Sequence, residues 1–99
     1  MNISSSNNTL TISGNIKSVS HFQILANELN KMTKDFDHIS IHLLDSISIT
    51  SSVIGYLCKL RDMGHNIELH VTDKELHDLL DDLNLLQILQ VQHITAASK

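Results

Sequence analysis

The amino-acid sequence predicts a small α/β domain, with a mixed sheet of about four to five strands and helices from the crossover connections packed mainly on one face. Segments with alternating polar and apolar residues, which indicate strands, recur between segments with apolar residues at helical spacing. A length of 99 residues and an apolar content of 41% suit a single domain, 1–99, with an aliphatic core. Its ends, 1–8 and 93–99, are the segments expected to be loose.

The N-terminal part predicts an edge strand, a half-buried strand and a helix. Residues 1–8 are rich in Ser and Asn and are compatible with a frayed edge strand, and 9–13 alternate before the turn signal Gly14-Asn15. Ser20 and Gln23 have the spacing of a capping box, which predicts a helix from about Ser20 to Met32. Its apolar positions are Phe22, Leu25, Leu29 and Met32.

A strand, helix and strand unit is expected over residues 38–71. The alternation in 38–44 predicts a central strand, and the apolar residues that follow Ser51 and Ser52 predict a second helix ending at the terminator Gly64. The alternation of Ile67, Leu69 and Val71 predicts the next strand. A connection of this length joins parallel strands, and we expect it to be right-handed.

The C-terminal part predicts a third helix. Thr72 and Glu75 form a second capping-box pattern, and Asn84 is a residue that tolerates the left-handed conformation at a helix end. The expected apolar face consists of Leu76, Leu79, Leu80 and Leu83. Residues 85–91 fit either a last strand or a short helix.

Charge and composition exclude several classes of function. Acidic residues number 11 against 7 Lys and Arg, and the basic residues are scattered, which disfavours a nucleic-acid partner. The sequence has no leader pattern and no apolar run near the roughly 18 residues of a membrane span, so we expect a cytoplasmic protein without direct membrane insertion. Cys58 is the single cysteine and fits a buried hydrophobe in a helix.

Three hydroxyl residues, Thr50, Ser51 and Ser52, stand where the central strand gives way to the second helix. Hydroxyls at a helix start are most often N-caps. In an open α/β sheet, however, the same position is the strand end at which sites form, and the helix dipole there favours a phosphoryl group. From the residues alone, a cap and a regulatory site both remain open.

The run 43–86 resembles the STAS domain of the anti-sigma factor antagonists. The family's strand ends in an apolar-Asp pattern, matched by Leu44-Asp45, and its apolar-Asp-Ser-Ser-Gly-Leu-Gly loop is matched by residues 49–55. Thr50 replaces the family's Asp and Val53 replaces a Gly. The family's glycine at the end of the second helix is matched by Gly64. Its Gly-Leu step after the third helix is matched by Leu83-Asn84-Leu85, with Asn84 in place of Gly, and its early Gly-Glu turn resembles Gly14-Asn15.

The resemblance implies a bacterial, non-enzymatic regulator of transcription that works by partner switching. The serine phosphorylated in the family corresponds to Ser51, with Thr50 and Ser52 as weaker acceptors. The implied partners are a serine kinase of the anti-sigma type and a serine phosphatase, with no cofactor. The surface implied for partner binding comprises Ile49, Thr50, Ser52, Val53, Ile54 and Tyr56. The alternative is an unphosphorylated STAS subunit that docks to an ABC-type or other membrane transport assembly.

Other chemistry finds weaker support in the sequence. His38 and His42 share one face of a strand but lie roughly 13 Å apart at strand rise, so no metal site is expected from them. Asp78, Asp81 and Asp82 fit a solvated helix face as well as an acid/base pair. No nucleophile, base and orienting acid occur in a readable order, and we do not expect an enzyme.

Overall fold

A computed structural model describes residues 2–44 and 49–94 of the chain. The described residues form five strands and three helices, which confirms the predicted α/β class with a mixed sheet. In chain order these are β1 (Asn2–Ser6), β2 (Thr9–Ser13), α1 (Val19–Asp35), β3 (His38–Leu44), α2 (Ser51–Asp62), β4 (Asn66–Val71), α3 (Lys74–Asp82) and β5 (Val91–His93).

The sheet has the strand order β1-β2-β3-β4-β5. Strands β1 and β2 form an antiparallel hairpin across a turn in which Asn7 has a φ of 54°. The other neighbouring pairs, β2 with β3, β3 with β4 and β4 with β5, are parallel. The N-terminal residues from Asn2 onward are therefore paired in the sheet as its edge strand.

The two faces of the sheet differ in chemistry because successive side chains of a strand point to opposite sides. One face carries the aliphatic residues of β2, β3 and β4, with Leu10, Ile41 and Leu69 in register across the three strands. All three side chains are buried, in one cluster with the buried residues of α1, α2 and α3. The helices thus cover this face, and the opposite face is lined by half-buried polar side chains.

Helix α1 starts earlier than the capping-box pattern predicts. Its N-cap is Ser18, whose side chain accepts a hydrogen bond from the His21 amide at 3.1 Å, and not Ser20. The Lys17 amide donates to His21 Nδ1 at 3.1 Å, so the imidazole takes a role that the sequence rule gives to Glu or Gln. The helix also extends past Met32 to Asp35.

Helix α2 begins at Ser51, as its sequence pattern predicts, and faces the sheet with Val53, Leu57 and Leu60. It stops before Gly64, which has a φ of 100° and whose amide donates to Arg61 O at 3.0 Å. A glycine adopts this left-handed conformation without a steric penalty. The prediction of Gly64 as the terminator is confirmed.

Helix α3 corrects two expectations from the sequence. Asp73, and not Thr72, is the N-cap, with Asp73 Oδ2 accepting from the Leu76 amide at 2.9 Å. Leu76 and Leu80 are fully buried, whereas Leu79 and Leu83 of the expected apolar face are 43% and 48% exposed. The helix is short and only one narrow stripe reaches the sheet.

The chain after α3 passes through turns before its last strand. Asn84 has a φ of 61°, which confirms the expected left-handed stop. Residues 85–90 contain no strand, and β5 comprises only Val91–His93. The Ile94 amide donates to Val71 O at 2.8 Å, so the chain stays paired at 93–94, and residues 95–99 lie outside the described part. Within residues 2–44 and 49–94, no helix combines the length and apolarity needed to cross a bilayer.

Candidate functional site at the start of helix α2

The N-termini of all three described helices lie at one edge of the sheet. Each helix follows a strand of the parallel part, and the carboxyl ends of parallel strands meet at the same edge. A direct hydrogen bond from the Gly14 amide to Leu44 O, 3.0 Å long, ties the ends of β2 and β3 together. The hydroxyl triplet therefore lies at the edge where open α/β sheets place their sites. Asp45, part of the matched strand-end pattern, lies outside the described residues.

Thr50 is the N-cap of α2. Its backbone is extended, with φ and ψ of −83° and 157°, and its hydroxyl accepts a hydrogen bond from the Val53 amide at 3.3 Å. Its carbonyl accepts from the amides of Val53 and Ile54 at 3.1 and 3.2 Å. Thr50 therefore performs the capping that an Asp would perform at this position, but it adds no negative charge.

Ser51 and Ser52 are the first two residues of α2, and both are exposed. Because Thr50 caps the helix, neither serine is the N-cap. The first turn of α2 contains no acidic residue. The partial positive charge of the helix N-terminus is therefore not offset by a carboxylate in this turn.

The residues predicted to bind a partner divide into surface and core. Val53 is only 2% exposed and packs in the core, so its side chain does not present apolar surface as the sequence interpretation expected. Ile49, Ile54 and Tyr56 are half-buried and pack against the core. The accessible part of the predicted surface thus consists of the hydroxyl triplet and the outer atoms of these three residues.

Tyr56 fixes the position of α2 relative to α1. Its hydroxyl donates to Ala26 O at 3.3 Å, and its ring meets Phe22 edge to face with the centroids 5.9 Å apart. Burial raises the pKa of the Tyr56 phenol, so it remains a neutral hydrogen-bond donor at physiological pH. These contacts hold the two helix N-termini beside each other.

A cleft of about 340 Å³ opens between the starts of α1 and α2. It is lined by Lys17, Ser18, Val19, Phe22, Thr50 and Ser52. The lining includes one cationic side chain, three hydroxyls and Val19, which is 72% exposed. The surface next to Ser51 is therefore polar, locally basic and partly apolar, which suits contact with another protein.

A second group of polar side chains lies on the face of the sheet opposite the helices, here called the open face. The sequence did not predict that these side chains lie close together. His42 of β3 and His70 of β4 are register partners, with ring centroids 4.5 Å apart. Glu68 Oε1 lies 3.2 Å from His70 Nε2 and 3.8 Å from His38 Nε2. The contact between the two histidines could have been predicted, because both occupy the polar positions of strands predicted to be neighbours.

The arrangement on the open face does not form the geometry of a hydrolytic triad. Ser40 Oγ donates to Glu68 Oε1 at 3.3 Å, so the serine contacts the carboxylate instead of an imidazole base. In the part of the chain that the structure describes, no three His, Cys, Asp or Glu side chains are arranged to hold a metal ion. Hydrogen bonding and charge pairing are the chemistry that these side chains support.

Comparisons with protein-family models, curated proteins and solved structures find no match to this chain. The hydroxyl triplet at the start of α2 and the motifs around it are the features of the chain that bear on its function.

Proposed function

We propose that this protein is a non-enzymatic regulatory binding protein of the anti-sigma factor antagonist type, switched by reversible phosphorylation of Ser51. Its partners would be a serine kinase of the anti-sigma type and an opposing serine phosphatase, all acting in the cytoplasm. The single observation that carries the proposal is the division of roles in the hydroxyl triplet. Thr50 caps α2, whereas Ser51 stands exposed at the first helical position.

This division weakens the simpler interpretation that the triplet serves only to start a helix. One oxygen is enough to cap the Val53 amide, and Thr50 provides it. Two further exposed hydroxyls are not required for that role. A kinase needs an accessible hydroxyl, and the exposed Ser51 meets this condition.

The electrostatics of the helix start also suit a phosphoserine. A phosphate on Ser51 would add nearly two negative charges at the positive end of the α2 dipole, where an anion is stabilised. Lys17 lines the adjacent cleft and adds a positive charge nearby. We therefore expect the fold to persist when Ser51 is modified.

The functional effect would arise at the interface. A partner that contacts the exposed hydroxyls and the outer atoms of Ile49 and Ile54 would meet a bulky dianion after phosphorylation. Desolvating this charge, or placing it against acidic groups or a nucleotide on the partner, costs binding free energy. Binding would change while the sheet and helices remain as they are.

Phosphate mapping tests the proposal. The chain is isolated from the cells that make it, with phosphatases inhibited, and its phosphopeptides are sequenced by mass spectrometry. We expect one phosphate, on Ser51. The Ser51→Ala variant should carry none, and the matched Ser52→Ala variant should be modified like the parent.

The outcome that contradicts the proposal is equally specific. Absence of phosphate from the chain under every growth condition, together with unchanged association of Ser51→Asp with its partners, would exclude a phosphoswitch. Stable association with a membrane transport assembly, independent of Ser51, would support the docking subunit instead.

A further inference from the structure

The open face of the sheet carries a compact group of ionisable side chains, His38, His42, Glu68 and His70, which we call the histidine–glutamate cluster. Its members come from the neighbouring strands β3 and β4 and lie on the face opposite the aliphatic core. The group is separate from the start of α2 and does not depend on the proposed modification of Ser51.

Glu68 is the only carboxylate of the cluster and is held by several donors. Ser40 Oγ lies 3.3 Å from Oε1, His70 Nε2 lies 3.2 Å from the same atom, and Gln92 Nε2 donates to Oε2 at 3.3 Å. The hydrogen bond from His70, above all, holds the pKa of Glu68 below its usual range. The carboxylate therefore remains ionised through the whole pH range in which imidazoles titrate, and it is placed to compensate a proton on His70.

His42 is in a different electrostatic position. Its ring packs on His70 at 4.5 Å between centroids, and its register partner on β2 is the uncharged Thr11. Burial, and then the positive charge that His70 acquires, lower the pKa of His42, while Glu68 acts in the opposite direction. The groups that face His42 are thus His70 and Glu68 on β4 and Thr11 on β2, with His38 and Ser40 on its own strand.

We infer that the histidine–glutamate cluster is a proton-responsive device, in which a proton on His42 places a positive charge against the ring of His70 and weakens the β3–β4 contact on the open face. The cluster holds one carboxylate for three imidazoles, and Glu68 is paired with His70 and His38, so it has no second carboxylate to compensate a proton on His42. Two like charges at this separation repel each other even in water. His42 and His70 belong to β3 and β4, so the repulsion acts between two neighbouring strands of the sheet.

The direction of the effect on stability follows from linkage. A histidine whose pKa is lower in the folded chain than its ordinary value of 6.5 binds its proton more readily in the unfolded chain. The stability that the neutral His42 provides is therefore present above this ordinary value. It is lost as the pH falls toward the lower value of the folded chain.

Titration of the histidine ring protons by NMR spectroscopy tests the inference. We expect His42 to titrate below its ordinary value in the parent chain. His70→Gln should move the His42 midpoint to higher pH, because the competing positive charge is gone. Glu68→Gln should move it to lower pH, because the compensating charge is gone. If His42 titrates at or above its ordinary value in the parent, the inference is overturned, whether or not the variants fold.

Denaturant unfolding gives a second readout. The urea midpoint of the parent should fall as the pH is lowered from about 7.5 to about 5.5, and His42→Gln should flatten this decline. The matched control is His21→Gln, which replaces a histidine in the first turn of α1, a helix that packs on the aliphatic face of the sheet. A decline that His21→Gln removes and His42→Gln preserves would overturn the inference.

Discussion

Replacement of Thr50 by alanine removes the hydroxyl that accepts the Val53 amide at the start of α2. Loss of a Thr N-cap costs about 0.5–2 kcal/mol in proteins. The bond here is 3.3 Å long, and the same amide also contacts Thr50 O at 3.1 Å, a contact that alanine retains. We therefore expect a loss in the lower half of that range, about 0.5–1 kcal/mol.

The free energy of unfolding can be measured by urea denaturation followed by circular dichroism. Thr50→Ala should lower the midpoint and leave the m-value unchanged, because the unfolded chain exposes the same surface. In thermal unfolding, a loss of about 1 kcal/mol corresponds to a melting temperature about 4–8 °C lower for a domain of this size. Thr50→Asp should retain the stability of the parent, because a carboxylate caps the same amide and lies at the positive end of the helix dipole.

Two matched variants test whether Thr50 alone caps α2. Ser51→Ala and Ser52→Ala should each change the stability by less than about 0.5 kcal/mol, since both serines are exposed and neither is the cap. If either serine variant loses as much stability as Thr50→Ala, the capping role belongs to that serine. The hydroxyl triplet would then serve to cap the helix, and Ser51 would have no separate function.

Other parts of the structure can be tested in the same way. Leu69→Ala should cost about 2–5 kcal/mol in urea denaturation, because this fully buried side chain lies in the middle row of the core. Gly64→Ala should cost about 1–2 kcal/mol, and the cost would come from the backbone alone, since a Cβ there meets no atom within 4 Å while φ is 100°. Glu68 has a pKa lowered in the fold, so the stability it provides is present above its ordinary value of 4.5 and lost as the pH falls below it. Glu68→Gln should therefore show a shallower loss of stability in acid, and an unchanged acid profile would contradict the role of its hydrogen bonds.

Local sequence patterns were sufficient to predict most of the fold. Period-two alternation marks β2, β3 and β4 because one face of each is buried, and the left-handed residues Gly64 and Asn84 mark two helix ends. The class of the domain follows from this alternation of strands and helices.

Helix starts were harder to predict, because several capping residues compete within one short connection. Thr72 is still tied to the sheet, with its amide and its hydroxyl 3.3 and 3.4 Å from Leu43 O, so the cap falls on Asp73 and α3 begins at Lys74. At α1, the imidazole of His21 completes the cap around Ser18, a combination that the capping-box rule does not include. Tertiary contacts therefore determine where α3 starts, and an unusual capping side chain determines where α1 starts.

The candidate site, like the fold, could be predicted from the sequence only in part. The position of Ser51 at the start of α2 could be predicted from the residues, but the burial of Val53 and the cleft with α1 depend on how the two helices pack. The histidine–glutamate cluster was missed because contacts between neighbouring strands require the register as well as the pattern.

The affinity of the chain for its kinase, measured with and without phosphate on Ser51, tests the proposed switch. We expect the unphosphorylated chain to bind and the phosphorylated chain to bind about two orders of magnitude more weakly, which corresponds to a loss of about 3 kcal/mol of binding free energy. Phosphorylated and unphosphorylated chains should unfold at similar temperatures, because the charge lies at a helix N-terminus. Equal affinity of the two forms would contradict the proposal that Ser51 controls partner binding.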